Sequence, residues 1–106
     1  MCNPIILTEK ENVCIAHCQG CKRISLRFNN LLVGFQLEDL YLLQRSFENI
    51  SFSDYCINFS DNKQRIVINT NQPEVQLCLE EKEYEFFKER LSEAVLMLEI
   101  NNLLSI

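Results

Sequence analysis

The sequence predicts an α+β fold in which a three-stranded antiparallel meander followed by a helix occurs twice, βββα-βββα, inside one domain over residues 1–106. Three observations predict it. Sliding the chain by 42 residues without a gap lines up 12–39 with 54–81, and eight of those 28 positions are identical: Cys14/Cys56, Ile15/Ile57, Arg23/Arg65, Ile24/Ile66, Asn29/Asn71, Val33/Val75, Leu37/Leu79 and Glu38/Glu80. Chance at ordinary composition gives about two. Each copy also holds short apolar alternations parted by Asn, Asp or Gly, residues that tolerate the positive φ angles of tight hairpins. Finally, each copy ends in an apolar pattern stepping by three and four, which is helical spacing.

The first copy covers about 12–49. A turn at Gln19-Gly20 sets Cys18 opposite Cys21, Ile15 opposite Ile24 and Val13 opposite Leu26. A turn at Asn29-Asn30 sets Leu26 opposite Val33 and Ile24 opposite Phe35. Directly opposed residues of an antiparallel pair share a face, so these apolar side chains all point one way. A helix over Glu38–Asn49 follows, with Leu40, Leu43 and Phe47 on one stripe.

The second copy covers about 54–104. Asp61-Asn62 sets Ile57 opposite Ile66 and Tyr55 opposite Ile68, and Asn71-Gln72 sets Ile68 opposite Val75 and Ile66 opposite Leu77. Its helix runs over Glu80–Leu104 with Tyr84, Phe87, Leu91, Ala94 and Leu98 in step and acidic residues in its first turn, where the helix dipole favours them. From Ala94 to Leu98 it is apolar on all sides, and Ile100, Leu103, Leu104 and Ile106 continue the pattern. A helix of that kind is buried, either within its own chain or against a partner. The expectation is a homodimer through this end.

The opposite sheet face is expected to carry Cys14, Ser25 and Gly34 in one row and Ala16, Arg23 and Gln36 in the next, the latter matched by Asn58, Arg65 and Cys78. The paired arginines suit an anion. They equally suit a carboxylate neighbour or a solvated face.

Ten Lys and Arg against fifteen Asp and Glu leave a net charge of −5, which argues against broad contact with nucleic acid or anionic lipid. No run nears the roughly 18 apolar residues of a membrane span. The first residues lack a basic leader and a long apolar stretch, so a cytoplasmic chain with reduced thiols is expected. No phosphate loop, dinucleotide fingerprint or triad is visible, and the expectation is a chain that is not an enzyme.

One constellation carries chemistry. Residues 14–21 read Cys-Ile-Ala-His-Cys-Gln-Gly-Cys. Cys18 and Cys21 form a C-x-x-C with His17 beside them, and two thiolates at this spacing can reach one zinc ion at about 2.3 Å each. Cys14 is about 13 Å of strand away from Cys18, too far to share that ion. The remaining ligands would be His17, Cys2 or the same pair of a second subunit. The pair sits at a hairpin tip and not at a helix N-terminus, which sets it apart from thioredoxin-like sites. A reversible dithiol and plain reduced thiols are the other readings.

The stretch Cys18-x-x-Cys21-x-x-Ile24-x-Leu26-x-Phe28-x-Asn30 resembles that of small bacterial proteins, typical of Bacteroidetes, with no assigned function. The resemblance implies a stand-alone cytosolic domain and no particular activity. The function expected is that of a non-enzymatic binding or interaction domain with a structural zinc at the C-x-x-C hairpin as an option; the alternative is a thiol redox protein using Cys18 and Cys21.

Overall fold

A computed structural model describes residues 4–104. Cys2 and Ile106, named above, lie outside the described residues, as do the side chains of Leu103 and Leu104. The elements are β1 (Pro4–Lys10), β2 (Val13–Cys18), β3 (Arg23–Phe28), β4 (Leu31–Gln36), α1 (Leu37–Asn49), α2 (Phe52–Tyr55), β5 (Ile57–Asn58), β6 (Gln64–Asn69), β7 (Gln76–Leu79) and α3 (Glu81–Leu104). Strands β1 to β4 form one antiparallel sheet in chain order, and β5 to β7 form a second. The α+β class agrees with the sequence, and both long helices begin within one residue of expectation.

The first sheet has a strand that the sequence reading lacks. β1 pairs with β2 through a bulge between Ile6 and Thr8. A bulge adds one residue to one strand, so consecutive residues can turn to the same side. Leu7 and Thr8 both enter the core, 3% and 2% exposed. The buried Thr8 hydroxyl is satisfied by α3, where Arg90 Nη1 donates to Thr8 Oγ1 at 3.1 Å.

The β3–β4 register is the expected one, with Leu26 facing Val33 and Ile24 facing Phe35. Asn29 at its turn has φ 55°. Its side chain accepts from Asn12 Nδ2 at 2.9 Å, which ties two neighbouring hairpin tips together. The β2–β3 register is corrected by two residues: Ile15 faces Leu26, His17 faces Ile24 and Cys18 faces Arg23. The connection is thus the four residues 19–22, with Lys22 at φ 59°, and Cys18 does not oppose Cys21. An even slip preserves every face, which is why the apolar pattern could not reveal it.

The second half departs further from two like meanders. Tyr55 belongs to α2 and not to a strand, and β5 has two residues. Phe52 of α2 supplies the core contact instead, 7% exposed and 6.0 Å from the Tyr84 ring. Ile57 faces Arg65 and not Ile66. That odd slip turns Ile57 outward, and it is 54% exposed. In β6–β7, Ile66 faces Leu79 and Ile68 faces Leu77. The longer loop is held by Thr70 Oγ1, which donates to Val75 O at 2.6 Å.

Buried positions of β3 and β6 line up at +42 and those of β4 and α1 line up with β7 and α3 at +44, whereas Tyr55 and Ile57, at +42 from the buried Val13 and Ile15, are exposed. Ile24/Ile66 and Leu26/Ile68 follow the first offset; Val33/Leu77, Phe35/Leu79, Leu40/Tyr84, Leu43/Phe87 and Phe47/Leu91 follow the second, and all are buried. The helix starts obey the same offset. Gln36 N–H donates to Asp39 Oδ2 at 3.0 Å, and Glu80 N–H donates to Glu83 Oε1 at 3.0 Å. Each carboxylate satisfies one amide that the helix start would otherwise leave open.

α3 lies across both sheets and α1, touching β1, β2, β6 and β7. Its inward side chains complete one continuous core. Phe47 stacks between Tyr84 (5.2 Å) and Phe87 (5.5 Å), and Phe28 meets Phe87 edge-on at 5.4 Å. The Tyr84 hydroxyl is shared between the carbonyls of Phe47 (2.6 Å) and Ile50 at the end of α1. Beyond it the helix is sided: Ala94 and Leu98 are buried in the chain's own core, while Leu96 and Ile100 are 55% and 37% exposed.

Candidate functional site

Two places merit attention, the hairpin tip singled out by the sequence and the uncovered face of the first sheet. At the tip, β2 runs regularly to Cys18, so His17 and Cys18 project to opposite faces. His17 opposes the buried Ile24 on the core side, and Cys18 opposes Arg23 on the outer side. Cys18 is 9% exposed and disulfide-bonded. Cys21, in the loop, is an exposed free thiol. His17 and Cys21 both line a cleft of about 620 Å³ with Lys22, Arg23, Gln36 and Glu38 at the start of α1. The three residues considered for zinc do not converge on one point, since two of them diverge across the sheet. Among the described residues no group of three or more His, Cys, Asp or Glu side chains is placed to hold a metal ion. These residues do not fit the tetrahedral four-ligand set of a structural zinc.

Among the described residues the outer face of the first sheet has no helix against it, because the core and the helices packed on it lie on the other side. The corrected register gives its rows: Pro4, Cys18, Arg23, Gln36; then Ile6, Ala16, Ser25, Gly34; then Glu9, Cys14, Arg27, Leu32. A solvated antiparallel face is ordinarily polar. This one holds a single acidic residue and no lysine in those rows. Its middle is low, with Arg23 folded over the backbone at Gly34, whose added Cβ would meet Arg23 Nη2 at 3.0 Å. Two large apolar side chains stand up beside this floor, Ile6 at 53% exposed and Leu32 at 69%. Arg27 and Glu9 form a long ion pair of 3.5 Å with both side chains about half exposed. Burial, with help from the Glu9 charge, pushes the neighbouring Cys14 thiol above its ordinary value.

The two arginines matched by the sequence lie in unlike settings. Arg23 covers Gly34, whereas Arg65 is held by Asp61 at 2.8 Å and 3.2 Å and lies over the Phe59 ring at 5.1 Å. The second arginine thus has the carboxylate neighbour that was one of the readings above. The sequence reading named this face and its small Ser25 and Gly34, but set Cys14 in their row where the structure has Ala16. Its signal is the lack of Asp, Glu and Lys at alternate positions of β2 to β4, and it needed the correct register to be read as rows.

Among the described residues no helix is long and apolar enough to cross a membrane. No curated protein and no solved structure matches the chain. A family model, described as a family of unknown function (DUF6686), matches residues 1–104, and the chain belongs to that family. The expectation of a small domain family without an assigned function is met.

Proposed function

We propose that this family member is a non-enzymatic interaction domain that acts in the cytoplasm, and that the outer face of its four-stranded sheet is the surface it presents to a partner. One observation carries the reading. An exposed sheet face holds a single acidic residue and no lysine in its three rows, and it carries Ile6 and Leu32 beside a floor of Ala16, Ser25 and Gly34. Interfaces are depleted in Lys, Glu and Asp and enriched in Arg relative to other surface, and an exposed apolar patch rimmed by polar groups marks an interaction site. The free thiols at Cys14, Cys21, Cys56 and Cys78 fit a reducing compartment, whereas the disulfide at Cys18 runs against the expectation of reduced thiols throughout. We read the two halves as copies of one unit, the second carrying two more residues in its last hairpin; the matched buried positions support this. The test is a photo-crosslinking side chain placed at Leu32 in cells, with the exposed Glu89 as control. Adducts at Leu32 and none at Glu89 support the reading, and equal labelling at both refutes it.

The rival reading, a thiol redox protein, has one observation in its favour: Cys18 is disulfide-bonded while Cys21, three residues on, is a free exposed thiol. Attack of the Cys21 thiolate on Cys18 Sγ would form the Cys18–Cys21 bond and break the existing one. The cysteine released would take up the proton that Cys21 gave, so the exchange needs no external oxidant. Differential alkylation with mass mapping after brief incubation at pH 8 tests it. A Cys18–Cys21 peptide pair supports exchange, and its absence in the folded protein refutes it.

A further inference from the structure

We infer that the hollow between α1 and the tip of the β6–β7 hairpin is a binding site for a small molecule with one aromatic ring and a hydrogen-bond donor, neutral or cationic. It lies on the core side of the first sheet, away from the outer face, so it stands apart from the interaction reading.

The hollow holds about 200 Å³. Its floor is core: Leu26, Val33, Phe35 and Leu43 are each at most 7% exposed. Leu42 and Thr70 stand at its walls. Protein interiors leave few voids larger than a water molecule, so an open space that reaches four core side chains is unusual.

The second half shows what fills the matched place there. Leu42 and Leu43 line up with Phe86 and Phe87 at +44, and Thr70 lines up with Phe28 at +42. α3 touches β6 and β7 as α1 touches β3 and β4, so the matched place lies between α3 and the end of β3. There Phe28 closes edge-on over Phe87 at 5.4 Å, and Phe86 packs against the core. The depression left beside them has the charged Glu11, Lys82 and Glu83 in its lining and reaches none of Ile68, Leu77, Leu79 or Phe87. Where the place on α3 has three phenylalanines, the place on α1 has two leucines and a threonine. Smaller side chains at a core leave a cavity. The volume missing on α1 is thus aromatic, and the hollow has the room for a ring, since a cavity of about 150 Å³ with apolar walls takes benzene.

The rim sets the sign of charge. Asp39 is the single ionisable group of the lining among the described residues. Its Oδ2 accepts from Gln36 N–H at 3.0 Å, which leaves Oδ1 for a donor on the ligand. The chain as a whole carries −5, so an anionic ring is disfavoured. An apolar floor with a few placed polar groups is the usual make-up of a small-molecule site.

Amide-resolved NMR titration of the full chain at pH 7 tests this with probes of like size: benzylamine, phenol, benzoate and cyclohexylmethylamine. Benzylamine and phenol should bind with dissociation constants of about a millimolar, the strength within reach of about eight heavy atoms. They should shift the amides of Leu43, Ser46 and Asn71. Benzoate and the puckered cyclohexylmethylamine should bind about tenfold more weakly. Leu42→Phe, at a side chain 56% exposed, puts back a ring of the second half and should weaken benzylamine about tenfold with the amide spectrum otherwise unchanged. Absence of a saturable shift with both benzylamine and phenol overturns the inference. Equal binding of benzoate overturns the charge argument, and equal binding of cyclohexylmethylamine overturns the aromatic one. Shifts that survive Leu42→Phe and Leu43→Phe alike put the ligand elsewhere and overturn the site.

Discussion

Replacing Tyr84 by Phe removes one oxygen from the centre of the molecule. That oxygen donates toward two carbonyls at the end of α1, Phe47 O at 2.6 Å and Ile50 O. The last carbonyls of a helix lack partners within it, so α3 closes α1 across 37 residues of sequence. The ring of Tyr84 is 1% exposed and stacks on Phe47, and Phe keeps that packing. The loss is thus the hydrogen bond plus the penalty for buried acceptors left without a donor, together about 1.5 kcal/mol. For a domain of this size that is a fall in Tm of about 6–12 °C. Urea titration should show a lower midpoint at an unchanged slope, since the surface exposed on unfolding does not change. Alkaline pH offers an independent check. Burial raises the Tyr84 phenol above its ordinary value of 10.0, with the Glu85 charge adding to it. The folded state therefore keeps a proton that the unfolded chain releases from about pH 10. The stability from this group is whole below that pH and declines above it, in the wild type and not in Tyr84→Phe. A variant within about 0.3 kcal/mol of wild type, or one that keeps the same alkaline decline, would refute the reasoning.

Other expectations follow from the same geometry. Gly34→Ala should be neutral or stabilising by up to about 1 kcal/mol in thermal melts, because Gly in a strand costs entropy and the obstructing atom is the free end of Arg23; a clear loss of stability would mean that Arg23 is fixed there. The Arg65 guanidinium holds the Asp61 carboxyl below its ordinary 3.8, so an NMR titration should find Asp61 ionised to lower pH in wild type than in Arg65→Ala. This pair stabilises above the unfolded value and is lost as pH falls through the lower folded one. Equal Asp61 titrations in both proteins would count against the pair. Iodoacetamide should reach the exposed Cys21 and Cys78 before Cys14, whose thiol burial keeps protonated; mass mapping decides the order. Zinc measured on untagged protein purified without chelator should fall far short of one ion per chain, and stoichiometric metal that vanishes in Cys18→Ser/Cys21→Ser would refute the divergent geometry of the tip.

The helices and the central strands of the first half were legible in the sequence because apolar spacing reports them directly. Registers were less so. The two-residue slips at β2–β3 and at β6–β7 both leave every apolar side chain on its face, so a pattern of period two is blind to them. The same blindness hid that Val75 lies outside β7, where Leu77 and Leu79 take the buried positions opposite Ile68 and Ile66. Tyr55 and Ile57 misled for a different reason. Their alternation suits a strand, but Phe52 fills the core from a helical turn and leaves both exposed, so tertiary packing overrode local pattern. β1 escaped because its bulge sets Leu7 and Thr8 on one side and breaks the alternation. At the hairpin tip the sequence reading placed Cys18 and Cys21 across from each other. The four-residue loop instead separates a buried Cys18 from an exposed Cys21.

The position of α3 has a consequence for how the chain is made. During synthesis a sheet such as β1–β4 emerges with its apolar face complete and nothing to lay against it. Arg90 and Thr8, 82 residues apart, join only after the first turns of α3, through Arg90, have left the ribosome. At roughly 5–20 residues per second the exposed interval lasts several seconds. In that interval the inner face, which is far richer in large apolar side chains than the outer one, is the stickier of the two. Nascent chains should therefore need shielding until the last helix arrives, and a chain stopped before Leu91 should be a substrate for chaperones or proteases and not a smaller folded domain.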